Sequence, residues 1–298
     1  MKTATKLIIF VITFASFGTS GSTENPEETL IISASRSPKS VQNTTVASTI
    51  IDEELITKRN SHFATDLLRL APGLTVSNTG GLGKFSQVRM RGSEGNHVMV
   101  LIDGMEMNDV ALADEFDFGH LMSTNIGKIE VIRGPHSALW GSDAVAGVIN
   151  IVTKKPEYGR NAKVTIDAGT HGLDHQNLEF STRTDSHLFR IVLDRINIGG
   201  INASLQGDED DGYESEYIDA KAEFKINEFN TIKFFNRYQE SVSETDSGSP
   251  LTDIDNKQSA RRAYTSLSFN NQLFNRALDN TLKINWTSTN SNNKDPNG

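Results

Sequence analysis

From residue 160 onward the apolar side chains of this 298-residue chain recur at every second position, and that period limits the folds open to it. Val164, Ile166 and Ala168 share one parity, as do Leu178 and Phe180, then Phe189, Ile191 and Leu193. Ala220, Ala222, Phe224 and Ile226 continue it, followed by Ile232, Phe234 and Tyr238, by Leu267, Phe269 and Leu273, and by Leu282, Ile284 and Trp286. Alternation of this kind builds a strand with one greasy face, and the Asn, Asp, Gly and Ser between the runs supply turns, giving about seven amphipathic strands of about ten residues. Two architectures can use them. A soluble β-sandwich turns the greasy face inward as a core; a membrane barrel turns it outward to lipid.

The N-terminus bears on that choice. Lys2 and Lys6 precede an apolar stretch at residues 7–17, and Gly18, Thr19, Ser20, Gly21 and Ser22 follow. A basic start, a short apolar core and a small-residue exit read as a secretory signal peptide over residues 1–22. The chain carries a formal charge of −9, which argues against nucleic acid as a partner. It has no cysteine, so disulfides and thiolate metal sites are excluded. No later apolar run reaches the ~18 residues a spanning helix needs.

Between these regions the grammar is mixed. Residues 46–51 read as a strand, and Asp52 followed by Glu53 and Glu54 reads as a capped helix start. A second helix begins near Ser61. Its Ala64, Leu67, Leu68 and Ala71 share one face, and Pro72-Gly73 stops it. Strands are expected at residues 74–76, 87–90 and 98–102, with a glycine-rich loop at 77–85 and a turn at Asp103-Gly104. Residues 129–156, IEVIRGPHSALWGSDAVAGVINIVTKKP, hold the densest local signals. Ile129, Val131 and Ile132 make a buried strand, and Gly134-Pro135 breaks it. Pro135 suits the start of a short helix through Ser137, Ala138, Leu139 and Trp140. Gly141 ends that turn, and Gly147 opens another strand at 148–153.

This stretch resembles the plug-domain signature of TonB-dependent outer-membrane receptors, through Glu130, Arg133-Gly134-Pro135, Gly141-Ser142, Ala144, Gly147-Val148-Ile149-Asn150-Ile151 and Thr153. Val88-Arg89-Met90-Arg91-Gly92 and residues 98–104 (VMVLIDG) match two further motifs of the family, in the family's order. The resemblance runs from about Glu28 to the last residue, and within the family it is greatest to vitamin B12 (cobalamin) receptors. It implies an α+β plug domain followed by an antiparallel transmembrane β-barrel. The expected organisation is a signal peptide at 1–22, a coupling box and linker at 23–44, a plug at 45–156 and barrel strands from 157 to 298. Plugged transporter barrels have ~22 strands, and an open sheet in lipid leaves edge groups unpaired. The chain is therefore expected to be the N-terminal portion of a longer receptor.

The resemblance also assigns roles. Glu28, Thr29, Leu30, Ile31, Ile32 and Ser33 look like the energy-coupling box, a segment that adds by β-augmentation to a sheet edge of a periplasmic TonB-type transducer; an ordinary edge strand is the alternative. Arg91 and Arg133, each just before a glycine, are expected to lock plug to barrel through carboxylates in the part of the barrel that follows these strands, with Glu130 sharing the network. A buried guanidinium needs such a partner, while a strand-end arginine in water does not. Loop residues Asn78, Gly80, Gly81, Gly83, Phe85, Asn108, Asp109 and Phe116 are expected at the ligand end of the plug. The implied partners are outer-membrane lipid and a scarce large solute. A corrinoid comes first, with a ferric siderophore or haem as the alternative.

No catalytic reading survives. Gly83-Lys84 precedes Phe85 and lacks a glycine at 78, so a phosphate loop fails. No G-x-S-x-G turn occurs. His171 and His175 have metal-ligand spacing but sit in a glycine-containing turn, which disfavours zinc. No cofactor is required. Asp208, Asp210 and Asp211 offer calcium its oxygen ligands, although the spacing breaks an EF-hand and a solvated acidic loop is the simpler reading. A secreted soluble β-sandwich binding protein remains the alternative from another class.

Overall fold

The computed structural model describes residues 30–31, 39–40, 46–202, 210–245, 256–274 and 277–294. The expected signal peptide lies outside them, as do Glu28, Thr29, Ile32, Ser33 and Asp208. Near the N-terminus, β1 (Leu30–Ile31) pairs antiparallel with β2 (Lys39–Ser40).

An α+β unit follows. It comprises β3 (Ala47–Ile51), α1 (Glu53–Arg59), α2 (Ala64–Leu68), β4 (Leu74–Asn78), β5 (Ser86–Met90), β6 (Val98–Ile102), β7 (Met105–Glu106), β8 (Ile126–Arg133), α3 (Ser137–Trp140) and β9 (Gly147–Thr153). α1 starts where the sequence places it: the Asp52 carboxylate accepts from the Leu55 amide at 2.9 Å, satisfying a donor that the first helical turn leaves free. Five strands order β3-β8-β9-β6-β7, with β6 and β9 parallel and the other pairs antiparallel. β6 is buried at all five positions because side chains pack on both of its faces. Ile129, Val131, Ile149, Ile151, Val100 and Ile102 meet Ala64, Leu67 and Leu68 of α2 in one core.

Seven antiparallel strands then form one meander: β10 (Gly159–Ala168), β11 (Asp174–Arg183), β12 (His187–Ile201), β13 (Asp211–Lys225), β14 (Asn230–Thr245), β15 (Asn256–Leu273) and β16 (Leu278–Lys294). Register carries the alternation straight across the sheet. Val164 pairs with Leu178, Leu178 with Leu193, Leu193 with Ile218 and Ile218 with Tyr238. A parallel row runs Phe189, Ala222, Phe234, Leu267, Ile284. Strands β12 to β16 are longer than the ~10 residues that the apolar alternation suggests, which is the length a bilayer-spanning strand would need to be greasy. β15, for example, spans 18 residues, and its extension through Lys257, Gln258 and Arg261 is polar.

The α+β unit packs on the opposite, polar face of this sheet. The greasy face is bare: Val164 is 59% exposed, Ile166 72%, Ile284 63% and Trp286 56%. The covered face carries Arg190, Asp194, Asp219, Arg237, Gln239 and Arg262, all buried. A sandwich would reverse this polarity. The soluble-sandwich expectation is therefore overturned: the core it needs lies in the open, while charged side chains line the covered side. An apolar band of this extent on a water-facing surface would be a severe liability, and against lipid it is a requirement.

Candidate functional site

The seam between the α+β unit and the sheet wall holds most of the buried polar groups outside the core. It is built on loops that the five-stranded sheet projects toward the wall. The loop before β8 presents Asp117, His120 and Asn125. Asp117 Oδ1 accepts from the amides of Ser86 (3.1 Å) and Gly119 (2.9 Å), so backbone bonds fix its carboxylate before any wall group arrives. Its Oδ2 then meets Arg262 Nη2 from β15 at 3.1 Å and His120 Nε2 at 3.3 Å. His120 Nδ1 lies 3.1 Å from the Tyr213 hydroxyl, and Gln239 donates to the His120 carbonyl at 2.9 Å. Asn125 bridges two wall charges: its amide nitrogen donates to Asp219, and its oxygen accepts from Arg190. Those charges are paired within the wall. Arg237 grips Asp219 through Nε (2.7 Å) and Nη2 (2.5 Å), and Arg190 grips Glu179 with two 2.8 Å bonds.

A second anchor forms at the β6–β7 turn. Asp103 accepts from the Thr153 amide (3.1 Å), the Thr153 hydroxyl (2.6 Å) and Lys221 Nζ of β13 (3.0 Å). Burial works to raise the Asp103 carboxyl, but the Lys221 charge and these bonds outweigh it and hold it below its ordinary value. Lys283 of β16 donates to the Gly104 carbonyl at 2.6 Å. Apolar contacts close the seam between these points: Phe63 and Met122 pack on Val192, Ile196, Ile198, Tyr213 and Tyr217.

Several expected site residues serve other purposes. Among the described residues no carboxylate pairs with Arg91 or Arg133. Arg91 is exposed at φ 53°, and Arg133 donates to Thr49 Oγ1 at 2.8 Å. Partial burial, then the neighbouring Arg91 charge, lower the Arg133 pKa. Glu130 is buried inside the five-stranded sheet, accepting from Asn150 at 3.0 Å and pairing with Lys128 at 2.8 Å. In this seam the charges run the other way: carboxylates of the α+β unit meet cations of the wall.

In the loops, Asn108 spends its amide on β6 and its own turn, accepting from the Val100 amide (2.8 Å) and donating to the Val98 (3.1 Å) and Asp114 (2.8 Å) carbonyls. Asp109 caps a short 3-10 turn through the Ala111 amide. Phe116 stacks edge-on against Phe118 at 4.8 Å. Gly83 lies under Tyr213, where a Cβ would fall 2.0 Å from the ring. Asn78, Gly80 and Gly81 are exposed and Phe85 half-buried, so these four retain a surface. Of the acidic residues offered to calcium, Asp210 is exposed and Asp211 is buried at the start of β13.

A family model described as the TonB-dependent receptor plug domain matches residues 40–148. Residues 40–148 are a TonB-dependent receptor plug domain. Solved structures similar to the chain include a ferric enterobactin receptor from Pseudomonas aeruginosa (18% identity, 83% of this chain and 41% of that one, TM-score 0.62). They also include the ferripyoverdine receptor of the Pseudomonas aeruginosa outer membrane (15%, 87% and 36%, 0.68). A third is the siderophore receptor PiuA from Acinetobacter baumannii (18%, 90% and 40%, 0.69). The chain thus spans about two fifths of the length of the receptors it matches. The shared fold is a plug followed by antiparallel wall strands, and in this chain the wall is an open sheet with β10 and β16 at its edges.

The plug–wall residues Asp117, Asn125, Asp103, Arg190, Asp219, Lys221, Arg237 and Arg262 escape a reading of the sequence. A usable signal exists for the wall members. Each sits within an alternating run at the parity opposite the greasy residues, and a charge there has no place unless a polar partner fills the lumen. No comparable signal marks Asp117 or Asn125, which lie in irregular loops.

The plug's hold on the wall is expected to weaken in mild acid. Burial lowers the His120 pKa below 6.5, outweighing the bond to Asp117, so the seated plug carries this ring neutral. A released plug would take up a proton below that value while the seated one refuses it. Attachment is then flat above about pH 7 and declines as pH falls through 6.5. Urea titrations of the plug between pH 8 and pH 5 measure this, and His120→Gln should remove the slope. An unchanged slope in that variant would show that another group is responsible.

Proposed function

We propose that this chain is the plug and first wall strands of a TonB-dependent outer-membrane receptor that imports a ferric siderophore. The observation that carries the reading is the sheet's polarity: greasy side out, charged side around the plug. This arrangement suits a lipid-embedded cylinder closed by a stopper, and no covalent chemistry is needed. The connections at 184–186, 226–229 and 274–277 are short and those at 169–173, 202–210 and 246–255 longer, which fits periplasmic turns and external loops. The loop at 78–85 lies at the long-loop end, since Ser243 donates to the Gly83 carbonyl, so Asn78, Gly80, Gly81 and Phe85 would face an arriving ligand.

Siderophore ranks ahead of corrinoid because the similar solved receptors bind siderophores; cobalamin, the first expectation from sequence, has the motif resemblance in its favour and is the second reading. In the proposed cycle the box at Glu28–Ser33 adds to a sheet edge of the TonB-type transducer. Its pull moves the plug along a seam of hydrogen bonds that water can replace. The test is uptake by cells carrying the full-length gene, with iron-55-labelled ferric enterobactin and ferripyoverdine against radiolabelled cyanocobalamin. Import of a ferric chelate is expected, and import of cobalamin alone would reverse the ranking. Deleting residues 28–34 should abolish import and leave surface binding intact; import that survives would refute the coupling role.

A further inference from the structure

The seam contains one group of side chains that neither the lock nor the transport reading uses. His62, in the plug loop before α2, meets Asp167 of β10 and His175 of β11. One potential ligand atom from each lies within 4.8 Å of the other two. The His62 and His175 rings stand edge to face, 5.2 Å apart. His175 is buried and bonded at both nitrogens: Nδ1 is 2.9 Å from Asp167 and Nε2 is 3.0 Å from Asp194. Asp194 is buried too. Its Oδ2 also accepts from Asn177 at 2.7 Å, while its Oδ1 has no hydrogen-bond partner among the described residues.

We propose that His62, Asp167 and His175 form a site for a divalent transition-metal ion of the zinc class, joining the plug to the first hairpin of the wall. Two imidazoles and a carboxylate are the ligand set such an ion takes, at about 2.0–2.2 Å per bond. Bringing the three ligand atoms to that range calls for side-chain shifts of about an ångström. The loop that carries His62 is braced: the Ser123 amide donates to the His62 carbonyl at 2.9 Å, and the Ser123 hydroxyl to the Ser61 carbonyl. His175 has the arrangement that metal-bound histidines share. One nitrogen faces the site, and the other donates its proton to a carboxylate that fixes ring and tautomer. Asp194 is that carboxylate and thus a positioning residue. Charge also fits, because two carboxylates sit beside the site and an incoming dication balances them. Asp167 is 36% exposed, which leaves a side of the site open to water or an outside ligand. Hard ions such as calcium and magnesium want more oxygen than the site offers.

The protein purified from membranes in detergent, without a histidine tag and stripped by chelator, is titrated with Zn²⁺ calorimetrically and with Co²⁺ by visible absorption. One ion per chain is expected, with Co²⁺ bands typical of four- or five-fold nitrogen–oxygen coordination. His62→Gln and His175→Gln should each abolish the bands. Asp194→Asn should weaken Zn²⁺ binding about 10–100-fold while leaving one ion per chain. His171→Gln, in the exposed neighbouring turn, should change nothing. Circular dichroism and heat-modifiable migration confirm that each variant is folded. The proposal is overturned if the stripped parent protein takes up no stoichiometric Zn²⁺, or if folded His62→Gln keeps the parent affinity.

Discussion

Replacing Asp117 with alanine is expected to cost about 3–5 kcal/mol of plug attachment, the range for breaking a buried ion pair by removing one partner. The reasons lie on both sides of the seam. On the plug side, the Ser86 and Gly119 amides lose their acceptor, and an unpaired buried amide costs about 1–3 kcal/mol. On the wall side, Arg262 is left as a buried cation. Among the described residues its Nη1 has no hydrogen-bond partner, and its ion pair is the one with Asp117. Burial works to raise the Asp117 carboxyl, yet the His120 bond and the Arg262 charge hold it below its ordinary value, so the group is ionised at neutral pH. The variant should show a lower urea midpoint for the plug and faster protease cleavage within residues 77–125. Heat-modifiable migration of the wall should be unchanged. Asp117→Asn keeps an oxygen for the two amides but loses the charge, and should fall between parent and alanine. Pairing Asp117→Ala with Arg262→Leu should recover much of the loss, because the stranded charge is then gone. A single variant within about 0.5 kcal/mol of parent would show that this contact does not hold the plug.

The contrast between what is and is not legible in the sequence follows from where the information sits. Strand parity is local, so Val164, Leu178, Leu193 and Ile218 already announce a common face, and the register confirms that they form one row. The Asp52 cap and the β6 and β9 strands are equally local. The plug–wall contacts are not. Arg262 meets Asp117 and Lys221 meets Asp103 across long stretches of chain, and no periodicity links such pairs. Arg91 and Arg133 stand out because each precedes a motif glycine, yet neither finds a carboxylate on the described wall. Asn108 illustrates a different limit. An amide in a loop looks available to a ligand, and its actual use, holding the loop onto the Val98 and Val100 backbone, shows only once the loop is folded back. Spacing sets His175 beside His171, whereas its neighbours in space are Asp167, Asp194 and His62.

Gly147→Ala is expected to destabilise the plug by about 3 kcal/mol or more, through overpacking and backbone strain acting together. Gly147 opens β9 between two strands, opposite Arg133 on β8 and Val98 on β6. A Cβ there would fall 2.1 Å from the Ile132 carbonyl oxygen and 2.4 Å from Met90 Sδ. Methionine can swing aside, but the Ile132 oxygen belongs to the β8–β9 ladder, and moving it breaks the pairing that centres the whole sheet. The φ of +157° at this position compounds the cost. Gly81 provides the control: a Cβ added there would meet nothing within 4 Å, and Gly81→Ala should change plug stability by less than about 0.5 kcal/mol. Urea midpoints for the two variants, read from the fluorescence of Trp140 at the edge of the plug, make the comparison direct. Equal midpoints would mean that β8, β9 and β5 do not converge on Gly147. A large gap would give the motif glycine its physical reason: three strands meet where only a hydrogen fits, and the plug's core closes over that point.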